Sequence, residues 1–330
     1  MRIGVIGAGA VGGAFAALLT RHGHEVEVTA RGTQLDAIRD HGIRLTGKWG
    51  DYTAIVHAEE LLTRAAELVI VATKAQDATT AIRENIAMLR DVPVVVIQNG
   101  IDSVAGAEAA SPRSDIVGGL AMFASSYLTD GAITITTSGR LYLGVSREHS
   151  DVPARYAARI LNDVIPTMVI ANFAGAQWTK LLVNQVNALP AITGLSVQEV
   201  IADRRLRRVV TACMRETARI GRASGVRFEK LDRLTRRVVR TLAFAPLWFS
   251  QTVPKAMARR MGRVPNPGST LQSVRRGRAT EIEHLNGSVV RAAEAIGRSA
   301  PVNAAIVMLV HEVEGTGTFL TPAEVVARLR

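Results

Sequence analysis

The chain opens Met1-Arg2-Ile3-Gly4-Val5-Ile6-Gly7-Ala8-Gly9-Ala10-Val11-Gly12-Gly13-Ala14-Phe15, and this stretch decides the fold. Arg2 to Ile6 reads as a short strand, and Gly7, Gly9 and Gly12 follow at G-x-G-x-x-G spacing ahead of an Ala-rich helix predicted from about Val11 to His22. Each glycine has its own physical reason. Gly7 permits the tight turn out of the strand, Gly9 lets a pyrophosphate come up to the backbone, and Gly12 lets the helix pack against the strand. The helix N-terminus adds N–H groups without intrahelical acceptors, which suit an anion. Such a run can also be an ordinary glycine-rich turn. Here a strand precedes it, a helix follows, and a second strand arrives at Glu25 to Ala30, so residues Gly7 to Gly12, with Ala8, Ala10 and Val11 between them, read as a dinucleotide cradle.

The second strand ends in Thr29-Ala30-Arg31. A site for NAD would usually place Asp or Glu there to hold the ribose 2′-hydroxyl, and no acid is present. Arg31 instead suits a 2′-phosphate, because its guanidinium is always charged and forks onto phosphate oxygens. The expected cofactor is NADP(H), against the plainer reading of Arg31 as an exposed loop residue.

A length of 330 residues exceeds what one such domain needs and suggests two. A hydrophobic content of 48% with 21% charged residues is that of a soluble globular protein. No leader is read ahead of the strand at Arg2, and no apolar run is long enough to cross a bilayer, so a cytoplasmic location is expected. The single cysteine, Cys213, excludes an internal disulfide and a cysteine-cluster metal site and reads as a core residue. Zinc-ligand spacing, a P-loop and a G-x-S-x-G elbow are all absent, so no metal is expected and hydrolase or kinase chemistry has nothing to rest on.

The net charge of +11 is unevenly divided: residues 1–171 carry 15 Lys+Arg against 18 Asp+Glu, and residues 172–330 carry 25 against 11. A basic half can attract nucleic acid, an acidic membrane surface or small anions. Its arginines come in pairs (Arg204/Arg205, Arg207/Arg208, Arg236/Arg237, Arg259/Arg260, Arg275/Arg276) on predicted amphipathic helices. They read as solvated helix faces, with neither a nucleic-acid partner nor a membrane span.

Along the chain, a helix is predicted at Thr33–His41, a strand pair at Ile43–Thr46 and Tyr52–Ile55, and a buried strand of the same sheet at Glu67–Ala72. Ligands in open α/β sheets sit beyond the carboxyl ends of the strands, which places Lys74 within reach of the cofactor. After a helix at Asp77–Leu89, the β-branched run Val92–Ile97 reads as a central parallel strand delivering Gln98-Asn99-Gly100 to the same rim. Asn99 is there placed to bond the nicotinamide ribose and a substrate. Further strands are predicted at Ile116–Leu120, Ala132–Thr137, Arg140–Gly144 and Thr167–Ala171, with a helix at Asp151–Asp163.

From Asn172 the pattern becomes helix after helix, which sets a boundary between domains 1–171 and 172–330. The first helix is expected to run to Pro190 with Lys180, Asn184 and Asn187 at i, i+4 and i+7, a polar stripe on an apolar helix. One lysine with two asparagines suggests a ligand rather than a solvent face. A long helix is predicted at Asp203–Ser224, and the Arg-rich stretch 229–262, interrupted at Ala245-Pro246-Leu247-Trp248-Phe249, reads as a packed helical insertion. Asn266 and Ser269 lie at a loop-to-helix junction able to receive a carboxylate, and Thr280-Glu281 is expected to begin a helix with Ile282, Leu285 and Val289 inward. Pro301 opens another, and Thr321-Pro322 reads as an N-cap with proline in the first turn.

Taken together, Gly7-x-Gly9-x-x-Gly12, Thr73-Lys74, Gln98-Asn99-Gly100, Lys180-x-x-x-Asn184 and Ser269-x-x-Gln272 followed by Thr280-Glu281-Ile282 resemble the ketopantoate reductase family over essentially the full length. The resemblance implies an α/β Rossmann-type N-terminal domain that binds NADPH, then an all-α C-terminal domain for substrate and often for dimerisation, with the active site in the cleft between them. It implies reduction of ketopantoate in pantothenate synthesis. By matching positions Lys180 looks like the catalytic lysine, Glu281 like the carboxylate near the cofactor, and Asn99, Asn184, Asn266 and Ser269 like substrate contacts. Ala124 is set against the cofactor. Negative charge develops on a ketone oxygen as it is reduced, and a lysine ammonium aimed there stabilises it and supplies the proton. Glu281 is placed to orient either Lys180 or a cofactor hydroxyl.

Three features depart from the family pattern. Ala188 stands where a second asparagine is usual, with Asn187 one position early; Ser273 stands where Asp is common; and the 229–262 stretch is long. Two other readings therefore stay open: a paralogue reducing a different 2-oxo acid, and a non-catalytic NADP-binding regulator.

Overall fold

The run predicted as the first strand pairs in parallel on both of its edges, and that pairing organises the first half of the protein. The structure is a computed structural model that describes residues 1–146, 149–262 and 264–329. The chain divides into two units, Met1–Phe173 and Ala174–Arg330.

The strands of the first unit are β1 (Arg2–Ile6), β2 (Glu25–Thr29), β3 (Ile43–Gly47), β4 (Tyr52–Ala54), β5 (His57–Glu59) and β6 (Leu68–Val71). After them come β7 (Pro93–Ile97), β8 (Asp115–Ala121), β9 (Ala124–Thr129), β10 (Ala132–Thr137), β11 (Leu141–Gly144) and β12 (Thr167–Val169). The helices are α1 (Ala10–Arg21), α2 (Thr33–His41), α3 (Ala75–Glu84), α4 (Ser103–Ala110) and α5 (Val152–Leu161). Eight strands form one sheet in the order β12-β11-β8-β7-β6-β1-β2-β5, parallel throughout except between β8 and β11. The order reverses between β1 and β6, and β6 is buried along its whole length. A Rossmann sheet binds its ligand beyond the carboxyl ends of the strands at this reversal.

The strand pair read as part of that sheet belongs elsewhere. β3 and β4 join β9 and β10 in a separate four-stranded sheet ordered β4-β3-β10-β9. Its half-buried alternation explains the difference: Ile43, Leu45, Ile133 and Ile135 are fully buried while their neighbours are not, as on a sheet with one covered face. β5 and β9 are strands that the sequence did not signal, being short or polar.

Among the described residues the second unit is helical, with α6 (Phe173–Asn184) entering it, then α7 (Ala188–Thr193), α8 (Val197–Ala202), α9 (Arg204–Ala223) and α10 (Arg236–Phe244). Next come α11 (Leu247–Ser250), α12 (Thr252–Arg260), α13 (Gly268–Arg275), α14 (Asn286–Glu294), α15 (Pro301–Thr316) and α16 (Pro322–Arg328). Two expectations are corrected. The helix carrying Lys180 ends at Asn184 and does not reach Pro190, so Asn187 is the residue preceding α7 rather than part of an i+7 stripe. Pro190 has no N–H for the carbonyl of Val186, and the chain tightens instead, with Asn187 N donating to Asn184 O at 2.9 Å. Thr280-Glu281 leads into a single 3₁₀ turn at Ile282–His284, and α14 starts only at Asn286; Ile282, Leu285 and Val289 are nonetheless buried.

The insertion forms α10, α11 and α12, tied to α8 and α9 by arginines. Arg207, only 8% exposed, donates to Ile201 O at 2.6 Å and to Gln251 Oε1 at 3.0 Å. Arg219 donates to Ala243 O at 2.8 Å, and Arg215 to Leu242 O at 3.2 Å and to Ala245 O. Part of the basic excess therefore satisfies carbonyls at helix ends, where the sequence suggested only solvated faces.

A buried polar chain crosses the unit. Asn286 Nδ2 donates to Gln185 Oε1 at 2.8 Å and to Asn303 Oδ1 at 2.9 Å, and Asn303 Nδ2 donates to Glu216 Oε2 at 2.7 Å. It links α9, α14 and α15 to the turn after α6. Replacing Asn303 by Leu removes the bridge at similar volume and takes one partner from the buried Asn286 amide, while Glu216 keeps the N–H groups of Val302 and residue 303. A loss of about 2–3 kcal/mol in urea unfolding is expected.

Candidate active site

Three glycines of the first unit answer to different neighbours. Gly7 has φ +95°, and a Cβ there would lie 2.8 Å from Thr73 Cγ2. A Cβ on Gly12 would come within 2.0 Å of Gly7 O. Around Gly9 there is nothing within 4 Å of the Cβ position, so this face of the backbone is open. Gly9 is also the N-cap of α1, with no side-chain cap, and Ala10, Val11 and Gly12 form the first turn. The amides just before are engaged, Gly7 N with Thr29 Oγ1 at 3.0 Å and Ala8 N with Thr29 O at 2.9 Å. An open approach onto an uncapped helix start fits a pyrophosphate.

Around this cradle stand the carboxyl ends of the parallel strands. Lys74, half-buried, is the N-cap of α3 just past β6. Gln98 at the end of β7 donates from Nε2 to Thr73 O at 3.1 Å, which ties the two strand ends together. Asn99 follows, half-buried, and Gly100 at φ +94° turns the chain away. Ala124 opens β9 shortly after the end of β8. Arg31 is exposed beyond β2, and its Nη2 is paired with Glu84 Oε2 at the end of α3, 2.5 Å away. A 2′-phosphate at Arg31 would share the guanidinium with that carboxylate.

In the second unit Lys180 and Asn184 are one turn apart on α6, Lys180 half-buried and Asn184 only 4% exposed. Burial pushes the Lys180 ammonium down to about 8, against the opposing pull of the Asp232 carboxylate. The chain then delivers Asn187 to the start of α13, where a Cβ on Gly268 would lie 2.8 Å from Asn187 Oδ1. Asn266 Oδ1 accepts from Gly268 N at 2.8 Å, and the Asn266 N–H donates to Gln198 Oε1 at 3.0 Å. Ser269, exposed, follows in the first turn of α13, which has no side-chain cap. Asn187, Asn266 and Ser269 are thus gathered at one helix start. Asn187 reaches it through the helix break, not through the predicted stripe.

Glu281 is half-buried in the segment between α13 and α14. Its neighbour Thr280 donates its N–H to Glu314 Oε1 at 2.7 Å, and Glu314 also bonds His311 at 2.7 Å. Glu283 holds the other ring nitrogen of His311 at 2.9 Å, and the two carboxylates raise the imidazole pKa, which burial opposes. Asp232, whose carboxylate acts on Lys180, was marked by no sequence motif. Among the described residues no His, Cys, Asp or Glu cluster is placed to hold a metal, and no helix is long and apolar enough to cross a membrane.

Comparison with known proteins covers both units. Residues 3–148 match the family described as "Ketopantoate reductase PanE/ApbA", and residues 172–314 match "Ketopantoate reductase PanE/ApbA C terminal". The 2-dehydropantoate 2-reductase of Mesorhizobium japonicum is 28% identical over 94% of this chain and 97% of its own. A PanE/ApbA family ketopantoate reductase from Ralstonia eutropha superposes with a TM-score of 0.79 at 27% identity, over 96% of this chain and 99% of its own. A D-mandelate dehydrogenase solved with NADH and anilino(oxo)acetate shares the fold, with a TM-score of 0.81 at 20% identity over 96% of this chain and 99% of its own.

The glycines separate binding from stability. Gly12→Ala forces helix and strand apart and is expected to cost about 1–3 kcal/mol in thermal unfolding. Gly9→Ala has room and a permitted φ, so its unfolding midpoint should stay at the wild-type value while titration with a nicotinamide dinucleotide shows weaker binding. Equal unfolding losses in both variants would remove the distinction.

Proposed function

The chain belongs to the ketopantoate reductase family and is an oxidoreductase, and from that premise we propose that it reduces a small 2-oxo acid, ketopantoate first, with NADPH. The observation that carries this reading is the half-buried Lys180, whose ammonium is pushed down to about 8 one turn from the buried amide of Asn184. A lysine with that property holds its proton loosely enough to give it up near neutral pH and still carries a charge to stabilise an alkoxide.

NADPH, when bound, supplies the hydride. Gly7 to Gly12 would hold its pyrophosphate, Lys74, Asn99 and Ala124 would line its rim, and Arg31 would pair with the 2′-phosphate. Lys180 donates its proton to the carbonyl oxygen as that oxygen becomes a hydroxyl, and ends as the neutral amine. Asn184 and Asn187 hold the substrate by its oxygens, and Asn266 and Ser269, at the start of α13, receive its carboxylate. Glu281 would orient either Lys180 or a cofactor hydroxyl by accepting a hydrogen bond from it.

Lys180→Ala should lower kcat/KM for 2-oxo acid reduction on the order of 10²–10⁴-fold. In the wild type the rate of reduction should fall as pH rises through about 8, because the ammonium is the proton donor and its basic form is inactive in this direction. NADPH oxidation with ketopantoate, beside linear, branched and dicarboxylic 2-oxo acids, is the measurement. Preference for another acid would move the substrate, and full activity of Lys180→Ala would overturn the mechanism. Arg31→Ala should reduce the preference for NADPH over NADH at least tenfold, the loss of one charge-assisted phosphate contact; an unchanged ratio would assign the 2′-phosphate elsewhere.

A further inference from the structure

The segment that opens the insertion is pinned to the helix that carries Lys180. Phe228 meets Trp178 of α6 edge-on with ring centroids 6.3 Å apart, and both rings occupy the space left by Gly221 of α9, where a Cβ would lie 2.7 Å from each. Glu229 then clasps α6 through its backbone. Its N–H donates to Gly175 O at 3.2 Å, and its carbonyl accepts from Thr179 Oγ1 at 2.7 Å, one residue before Lys180. Two residues on, Leu231 and Leu234 bond each other's backbone at 3.3 and 2.8 Å, closing a tight turn over the buried Leu231 side chain.

Asp232 sits in that turn at φ +49°, one of two non-glycine residues with positive φ among the described residues. Glycine or asparagine serves such a position with less strain. What aspartate adds over asparagine is a charge, and the turn is anchored next to Lys180. Strained conformations of this kind gather where function demands them.

We infer that Asp232 is a positioning residue, carried to α6 by this anchored turn, whose carboxylate is the counter-charge that holds the Lys180 ammonium in place. The inference rests on the reading of Lys180 as proton donor for its effect on rate, but not for its effect on the lysine itself. Burial lowers the basicity of Lys180 and the Asp232 carboxylate raises it. The same segment also carries Arg227, Glu229, Lys230 and Arg233, and the neighbouring helices carry Arg219 and Arg222 on α9 and Arg236 on α10. Arg219 is bonded to Ala243 O at 2.8 Å, Arg222 lies over the Phe244 ring at 5.0 Å, and Arg236 donates to Phe228 O at 3.2 Å.

The test titrates Lys180 directly, by ¹³C NMR of the reductively methylated full-length protein, with its resonance identified by its loss in Lys180→Arg. Asp232→Asn keeps a residue at home at positive φ, and Asp232→Gly relieves the strain, so the turn survives in at least one of them. In both, the Lys180 midpoint should fall by about half to one pH unit, and the alkaline limb of kcat/KM should fall with it. Asp232→Glu should restore part of the shift. Lys180 titrations that superimpose on the wild type in both neutral variants would overturn the inference. A shifted titration together with full activity of Lys180→Ala would uphold the counter-charge and overturn the proton-donor reading instead.

Discussion

The absence of side chains at Gly12 and Gly13 fixes where the first helix stands, and the first unit is built around that helix. A Cβ on Gly12 would come within 2.0 Å of the Gly7 carbonyl, and one on Gly13 within 2.9 Å of Ile133. Neighbouring residues on a helix point about 100° apart, so one glycine admits the crossing of the large sheet and the next admits the small one. The helix is consequently buried from Gly12 to Leu19. Gln34 completes the arrangement from the side, donating to Ala8 O at 2.7 Å and accepting from Gly131 N at 2.8 Å, so the cradle and the second sheet are joined by a single amide.

The second unit solves a different problem, which is to keep an ammonium in surroundings that penalise it. Leu181 and Leu182, the next residues of α6, are buried, and burial lowers the Lys180 pKa while the Asp232 carboxylate raises it. Deeper burial would neutralise the lysine and fuller exposure would return it to its ordinary value. Ending α6 at Asn184 takes Asn187 off the helix and brings it to the start of α13.

Periodicity made the Rossmann core legible, since G-x-G-x-x-G and the fully apolar runs of β6 and β7 have few other uses. The starts of α9, α15 and α16 were legible too, from Asp203 and Thr321 as N-caps and from Pro301 as the first residue of α15. Which sheet a half-buried strand joins was not legible, because alternation reports one covered face and not its partner: β3, β4 and β10 satisfy either assignment. The break after Asn184 was hidden for a related reason. A proline limits where a helix may end, but Pro190 is also tolerated in the first turn of a new helix, and only the backbone bonds decide. Asp232 was invisible because its significance lies in a φ value and in a neighbour 52 positions earlier in the chain.

The charge asymmetry follows from the same architecture. A unit of many short helices ends many carbonyl rows close together, and a guanidinium is the side chain that can satisfy several of them at once. Arg207 serves the end of α8, Arg215 and Arg219 the end of α10, and Arg275 the carbonyl of Gly194 after α7 at 3.2 Å. No acidic residue occurs between Arg233 and Thr280 to offset them. The local consequence is a bonded insertion; the long-range consequence is a field that raises the concentration of small anions around the unit and weakens with ionic strength. Bonding at helix ends therefore accounts for part of the basic excess of this half of the chain.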